Sequence, residues 1–174
     1  MLYSFDGKTP RIGAGTYVSE TATVIGDVTI GENCYIGHGA ILRGDYGRIE
    51  IGPETAVEEG VIIHAAPGVT CRIGRRVTFG HGAIIHAQEV GDWAVIGMGA
   101  VVSINAKIGE WAIVAEAAAV KQGQTVEPGV VAAGIPAKPV RPVLDRDRET
   151  WEKGKQIYVD LAAKYLAQPM QPVV

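Results

Sequence analysis

An apolar residue recurs every six positions through most of this 174-residue chain. The series is interrupted by single steps of nine, ten and five residues, and every member is apolar although only 47% of the chain is. Its members are Ile12, Val18, Val24, Ile30, Ile36, Leu42, Ile51, Val57, Ile63, Ile73, Phe79, Ile85, Val90, Ile96, Val102, Ile108, Val114, Val120 and Val126. A repeat this regular outweighs the other sequence features in deciding the fold.

The residues beside each apolar position indicate short strands that end in corners. The residue two places earlier is usually small or apolar, as at Ala22, Cys34 and Ala94, and the residue after is often glycine, as at Gly31 and Gly97. Alternate inward side chains are typical of a strand, and glycine gives the backbone freedom to turn. Six residues per side and three sides per coil predict an all-β solenoid, a parallel β-helix of hexapeptide repeats. In that family the prism coils left-handed.

The repeat ends near Val126, and four prolines then mark an extended crossover. From Asp145, which can cap a helix, apolar residues recur at helical spacing. We predict a left-handed β-helix domain over 1–142, a C-terminal helix over 143–167 and a loose tail over 168–174. The helix is expected to lie along the prism or on a neighbouring subunit.

Charge and composition exclude several classes of partner. A net charge of −3 argues against nucleic acid or an anionic membrane held by bulk charge. Cys34 and Cys71 lack the spacing of a zinc or redox motif, so we expect buried, reduced thiols. We see no signal peptide and no apolar run approaching the ~20 residues of a membrane span, and expect a soluble, cytoplasmic protein.

Two histidines fall at the same corner of neighbouring coils. His64 and His86 each follow an inward residue at the third corner, one rung or roughly 4.8 Å apart, so both can reach one metal ion at ~2.0–2.1 Å. His81 lies at the second corner, a full face or roughly 15–20 Å of chain away. We therefore predict a homotrimer in which His64 and His86 of one subunit meet the partner subunit's His81.

Three neutral imidazoles leave one coordination position open, which is the pattern of a catalytic zinc site. Zinc lowers the pKa of its bound water from 15.7 to about 7, and the hydroxide suits attack on a small electrophilic carbon. Glu58 and Glu59 are candidates to orient it and relay the proton. Arg43 shares the histidine corner one coil earlier and can either pair with Asp45 or take part in the chemistry.

Four segments resemble the γ-class carbonic anhydrases, a family of hexapeptide-repeat trimers. They are Leu42-Arg43-Gly44-Asp45, Val61-Ile62-Ile63-His64, Gly80-His81-Gly82-Ala83-Ile84-Ile85-His86 and Ile96-Gly97-Met98-Gly99-Ala100-Val101-Val102. The resemblance covers roughly residues 10–142. It implies reversible hydration of CO₂ to bicarbonate by a metal-bound hydroxide at a subunit interface.

The resemblance also implies roles for individual residues. It makes His64, His81 and His86 the ligands of Zn²⁺, or of Fe²⁺ or Co²⁺. It implies an ion pair between Arg43 and Asp45 at the subunit interface beside the metal. Tyr158 resembles a tyrosine near the site in some members. With Glu58, the predicted catalytic residues are therefore Arg43, Asp45, Glu58 and Tyr158.

The chain departs from the family at two places. Glu58-Glu59-Gly60 stands where the family usually has Gln-Asp-Gly, so a carboxylate replaces an amide beside the metal. The short turn over 46–50 leaves no room for the acidic loop that carries the proton shuttle in the best-studied type. Many short members lack that loop, and some show little or no hydration activity.

Two other functions stay open at this point. The segment Val131–Lys138 resembles the C-terminal part of hexapeptide-repeat acyltransferases that use CoA, with CoA-thioester hydrolysis as a closer variant. Those acyltransferases use one catalytic histidine and no metal. The chain can also be a non-catalytic metal-binding subunit of a larger assembly.

Overall fold

The computed structural model describes residues 1–171 and residue 173, and shows a parallel β-solenoid of about 7 turns with a C-terminal helix. The predicted β-helix fold is thus confirmed. The strands run β1 Leu2–Tyr3, β2 Arg11–Ile12, β3 Tyr17–Val18, β4 Thr23–Ile30, β5 Tyr35–Ile36, β6 Ile41–Ile51, β7 Ala56–Val57, β8 Ile62–His64, β9 Thr70–Ile73, β10 Thr78–Phe79, β11 Ile84–Ile85, β12 Glu89–Val90, β13 Val95–Ile96, β14 Val101–Val102, β15 Lys107–Ile108, β16 Ile113–Val114, β17 Ala119–Val120, β18 Thr125–Val126, β19 Val130–Ala133 and β20 Lys138–Pro142. Helix α1 spans Asp145–Ala167.

The prism has three faces, which we call the helix face, the histidine face and the ladder face. The helix face is built from β3, β5, β7, β10, β13, β16 and β19. The histidine face contains β8, β11, β14 and β17, and the ladder face contains β9, β12, β15 and β18. The long strand β6 pairs with β8 through Ile41–Arg43 and with β9 through Arg48–Ile51, so it runs around the corner between the last two faces.

The predicted apolar series forms the core of the prism. Its members from Val24 to Val126 are all buried, whereas Ile12 and Val18 are only partly buried. Their strands β2 and β3 each pair with a following strand only, whereas Val24 of the same coil is also covered by β1. Cys34 and Cys71 are free and buried, as predicted.

The glycines that follow inward residues do not serve the purpose predicted for them. Gly31, Gly80 and Gly97 do not have positive φ angles. A Cβ placed at Gly80 would instead lie 2.8 Å from the backbone nitrogen of Met98 in the next coil. Close approach of adjacent coils is therefore what excludes a side chain at these corners.

The C-terminal helix lies along the prism of its own chain and contacts β3, β5 and β7. Asp145 is its first residue and Leu144 occupies the cap position, so the prediction that Asp145 caps the helix is wrong. The Asp147 carboxylate instead accepts a hydrogen bond of 2.9 Å from the Leu144 backbone N–H.

Aromatic and cationic side chains hold the helix against the prism. Trp93 and Trp111 stack with 4.9 Å between ring centroids, and Arg148 of the helix lies over Trp111 at 4.6 Å. The buried Lys155 donates to Thr78 Oγ1 and to the Ala94 carbonyl, each at 3.1 Å. These contacts fix which helix side chains reach the second corner of the prism.

Among the residues that the structure covers, we find no helix of the length and apolar character needed to cross a bilayer. The cytoplasmic location stays a prediction. The predicted tail, 168–174, includes residues 172 and 174, which lie outside the described residues.

Candidate metal centre

His64 and His86 lie side by side on the histidine face, as their shared corner predicts. Strands β8 and β11 pair in register, and their ends bring His64 Nδ1 to 3.3 Å from His86 Nε2. Two nitrogens bound tetrahedrally to zinc at 2.0–2.1 Å are separated by about 3.3–3.4 Å. The two rings are therefore spaced as two ligands of one metal ion.

The remaining ring nitrogens of this pair are buried. His64 Nε2 and His86 Nδ1 have no hydrogen-bond partner in the described part of the chain. Asp45 Oδ1 lies 3.5 Å from His64 Nε2, on the side of the ring opposite the pair, but does not form a hydrogen bond with it. Burial, followed by the charge of Arg43, lowers the pKa of both imidazoles. The neutral imidazole that a metal requires is thus the favoured form.

Arg43 and Asp45 form an ion pair of 2.6 Å within one chain, next to His64. Burial alone would raise the pKa of Asp45, but hydrogen bonds from Arg43 and from the Tyr46 backbone N–H hold that pKa below its ordinary value. Asp45 therefore stays ionised beside the histidine pair. The predicted pairing across a subunit interface stays a prediction.

His81 is separated from the pair by the length of β11, because it precedes that strand and His86 follows it. Both of its ring nitrogens face carboxylates: Nε2 is 3.1 Å from Glu58 Oε2, and Nδ1 is 2.7 Å from Glu59 Oε2. Within the described residues of a single chain, no group of three His, Cys, Asp or Glu side chains is arranged to hold a metal. A three-histidine site thus requires a second copy.

The two glutamates beside His81 have different environments. Glu58 is only 5% exposed, and this burial raises its pKa against the lowering effects of His81 and Tyr158. Burial also acts on Glu59, but a 2.6 Å hydrogen bond from the Tyr35 hydroxyl helps to lower its pKa. Burial and the Glu58 charge raise the pKa of Tyr158, so its phenol keeps its proton.

Tyr35 is a site residue that the sequence analysis missed. It is buried under the helix and contacts Glu59, and its ring lies 5.3 Å from that of Tyr158. Tyr17 and Tyr35 directly precede Val18 and Ile36 of the apolar series, and they pair on adjacent strands. The recurrence of tyrosine at the same place in two coils is the sequence signal that could have found Tyr35. His38 has no predicted role at the site, and its Nδ1 lies 2.6 Å from Ser19 Oγ.

Known proteins resemble this chain over most of its length. The family model "Bacterial transferase hexapeptide (six repeats)" matches residues 9–44. A carbonic anhydrase from Geobacillus kaustophilus is 34% identical over 98% of this chain and 94% of its own length. The chain belongs to the γ-class carbonic anhydrase family of hexapeptide-repeat proteins.

Two further similar proteins carry other descriptions. The carnitine operon protein CaiE from Escherichia coli K12 is 37% identical over 93% of this chain and 83% of its own length. A hexapeptide transferase family protein from Anaplasma phagocytophilum has a solved structure that superposes with a TM-score of 0.90 at 31% identity. That match covers 95% of this chain and 98% of the other. Membership of the family therefore does not by itself assign the reaction.

Proposed function

We propose that this chain assembles as a homotrimer, binds zinc between subunits and catalyses the reversible hydration of CO₂ to bicarbonate. The separation of 3.3 Å between His64 Nδ1 and His86 Nε2 is the observation that carries the proposal. Iron and cobalt stay alternatives for the metal, since both accept imidazole ligands.

An aliphatic stripe on the histidine face supports assembly. Ile41, Ile84 and Val101 are 37%, 40% and 37% exposed, and they pair in register with Ile62 and Ala119 along five neighbouring strands. A contiguous exposed apolar patch is typical of a protein–protein contact. On β8 and β11 the stripe residues Ile62 and Ile84 lie two positions before His64 and His86. A second subunit that covered the stripe would therefore also lie beside the histidine pair.

Residues around the pair would serve the site in distinct ways. A zinc ion held there would supply hydroxide at neutral pH by lowering the pKa of bound water. Asp45 would keep the His64 ring in place, and Arg43 would keep Asp45 ionised. Glu58 would bring a buried carboxylate to the site together with His81 of its own subunit, and Tyr158 would donate a proton toward that carboxylate.

Mixing two variants tests the shared site. His64→Ala and His81→Ala trimers should each bind no zinc, because each variant lacks part of every site. When the two are unfolded together and refolded as mixed trimers, about one interface in four combines two intact halves and should recover zinc and CO₂ hydration. Elemental analysis measures the bound zinc, and stopped-flow assays measure CO₂ hydration. Zinc retained by either variant alone, or no recovery on mixing, would contradict the proposal.

A second candidate function is CoA-dependent acyl transfer. The segment predicted to resemble acyltransferases borders a groove of about 390 Å³ lined by Lys121, Gln124, Pro136 and Lys138. Two lysines there could meet the phosphates of CoA. Acyl-CoA turnover by protein from which zinc has been removed with a chelator would favour this function over hydration.

A further inference from the structure

Two residues repeat the places of His81 and His86 in the next coil of the prism. His81 lies at the second corner, and His86 follows it by five positions at the third. The Gly99 backbone N–H donates to the His81 carbonyl at 2.9 Å, which places Met98 next to His81 in the following coil. Strand β11 pairs in register with β14, which places Ser103 next to His86 in the same way.

The symmetry of a trimer carries this repetition across the interface. A threefold axis parallel to the prism keeps every coil at its own height. The shared metal site fits this arrangement, because His81 and the partner subunit's His86 belong to the same coil. One coil later, at a distance of roughly 4.8 Å along the stack, the same rotation brings Met98 to the partner subunit's Ser103.

The surface around Ser103 is a groove that an apolar side chain would fill. Its volume is about 360 Å³, and it is lined by Ile84, Val101 and Ile104 together with His86. The groove thus adjoins the histidine pair and lies on the face that carries the aliphatic stripe.

Met98 has the properties of a side chain that enters such a groove. It is 52% exposed although it is apolar. The residues at the same place in the other turns that stack on this corner are polar or charged, namely His38, Glu59, His81 and Glu116. The unbranched and flexible side chain of methionine adapts to an irregular apolar surface.

The coil after Met98 carries opposite charges at the same two places. Glu116 lies next to Met98 at the second corner, and Lys121 lies next to Ser103 at the third, since β14 pairs in register with β17. Both side chains are exposed. The same rotation would bring Glu116 to the partner subunit's Lys121, and such charge complementarity is typical of a specific protein–protein contact.

We propose that the interface between subunits extends beyond the metal site, with Met98 seated in the groove beside the partner subunit's Ser103 and Glu116 paired with the partner subunit's Lys121. The inference rests on the proposed function, because it uses the alignment of coils that the shared site gives. Met98 is then a positioning residue. By filling the groove it fixes the height of one prism against the next, and so holds His81 level with the partner subunit's His86.

Two introduced cysteines test the contact of Met98. In full-length Met98→Cys/Ser103→Cys protein, the two sulfurs of one chain are separated by a face of the prism, roughly 15–20 Å, which is too far for a disulfide. A disulfide therefore forms only between subunits and links three chains in a ring. After mild oxidation, a non-reducing gel should show mainly covalent trimer. The matched control Met98→Cys/Glu89→Cys, with its second cysteine on the ladder face, should run as a monomer.

A charge exchange tests the next coil without disulfide chemistry. Glu116→Lys and Lys121→Glu should each weaken trimer assembly at least about tenfold, because like charges then meet at every interface. The double variant restores opposite charges and should assemble within about threefold of wild type. Light scattering over a dilution series measures assembly, and both positions are exposed, so the variants keep their fold.

The outcomes separate this inference from the proposed function. Zinc-binding trimers that give no covalent trimer on oxidation would overturn the Met98 contact and leave the shared histidine site standing. A double charge variant that assembles no better than the single ones would overturn the alignment of coils. Covalent trimers that bind no zinc would uphold this interface and contradict the proposed function. Wild-type protein that is monomeric and binds no zinc would overturn both.

Discussion

The histidine face and the ladder face have the same interior and opposite exteriors. On the ladder face the outward residues of four adjacent strands alternate in charge, from Glu50 to Arg72, Glu89 and Lys107. On the histidine face the outward residues at the corresponding strand position are aliphatic, from Ile41 to Ala119. The inward repeat thus determines the prism, and the outward residues determine what each face meets: solvent, the chain's own helix or, in our proposal, another subunit.

The largest effect is expected where a charge is placed on the aliphatic stripe. Ile84→Glu would bury an uncompensated carboxylate in the proposed interface, which costs about 3–5 kcal/mol and weakens assembly by more than about a hundredfold. Light scattering should show a monomer that also fails to bind zinc. Lys107→Glu places the same side chain on the ladder face and should remain a zinc-binding trimer. An Ile84→Glu trimer would show that the stripe is not the interface.

This comparison also shows what the sequence can and cannot predict. The inward series predicted the coils, and the register of the coils predicted that His64 and His86 would be neighbours. The contacts of His81 with Glu58 and Glu59 could not be predicted, because the repeat does not determine the rotamers of the side chains at a corner. The part played by Tyr35 depends on where the helix packs, which helical periodicity leaves open. The glycines were predicted correctly as corner residues but for the wrong physical reason.

The helix face adds a third case to this comparison, because a lysine of the helix is buried against it. Lys155 is 1% exposed, and burial, followed by the charge of Arg76, lowers its pKa to about 7. Between that pKa and the value of about 10.4 in the unfolded chain, the unfolded state binds the extra proton, so the free energy of unfolding rises with pH. Well below pH 7 the folded state carries the full cost of the buried charge.

Lys155→Met should therefore be more stable than wild type by about 1–4 kcal/mol at pH 6, and the gain should shrink as the pH approaches 10. Denaturant unfolding at pH 6, 8 and 9.5 measures the difference. Lys153→Met, exposed on the same helix, should show no such pH dependence. A gain that stays constant with pH would mean that Lys155 is not the titrating group.

The smallest effect is expected on the ladder face itself. Arg72 Nε lies 3.7 Å from Glu50 Oε2, and both side chains are exposed, at 66% and 39%. Pairs of this kind contribute about 0–1 kcal/mol, because water screens the charges and the side chains lose freedom. Arg72→Ala should thus change the free energy of unfolding by less than about 0.5 kcal/mol in denaturant titrations, and leave the trimer mass unchanged. A loss of trimer mass would mean that the ladder face, too, meets another subunit, and that alternating charge does not mark a face left to solvent.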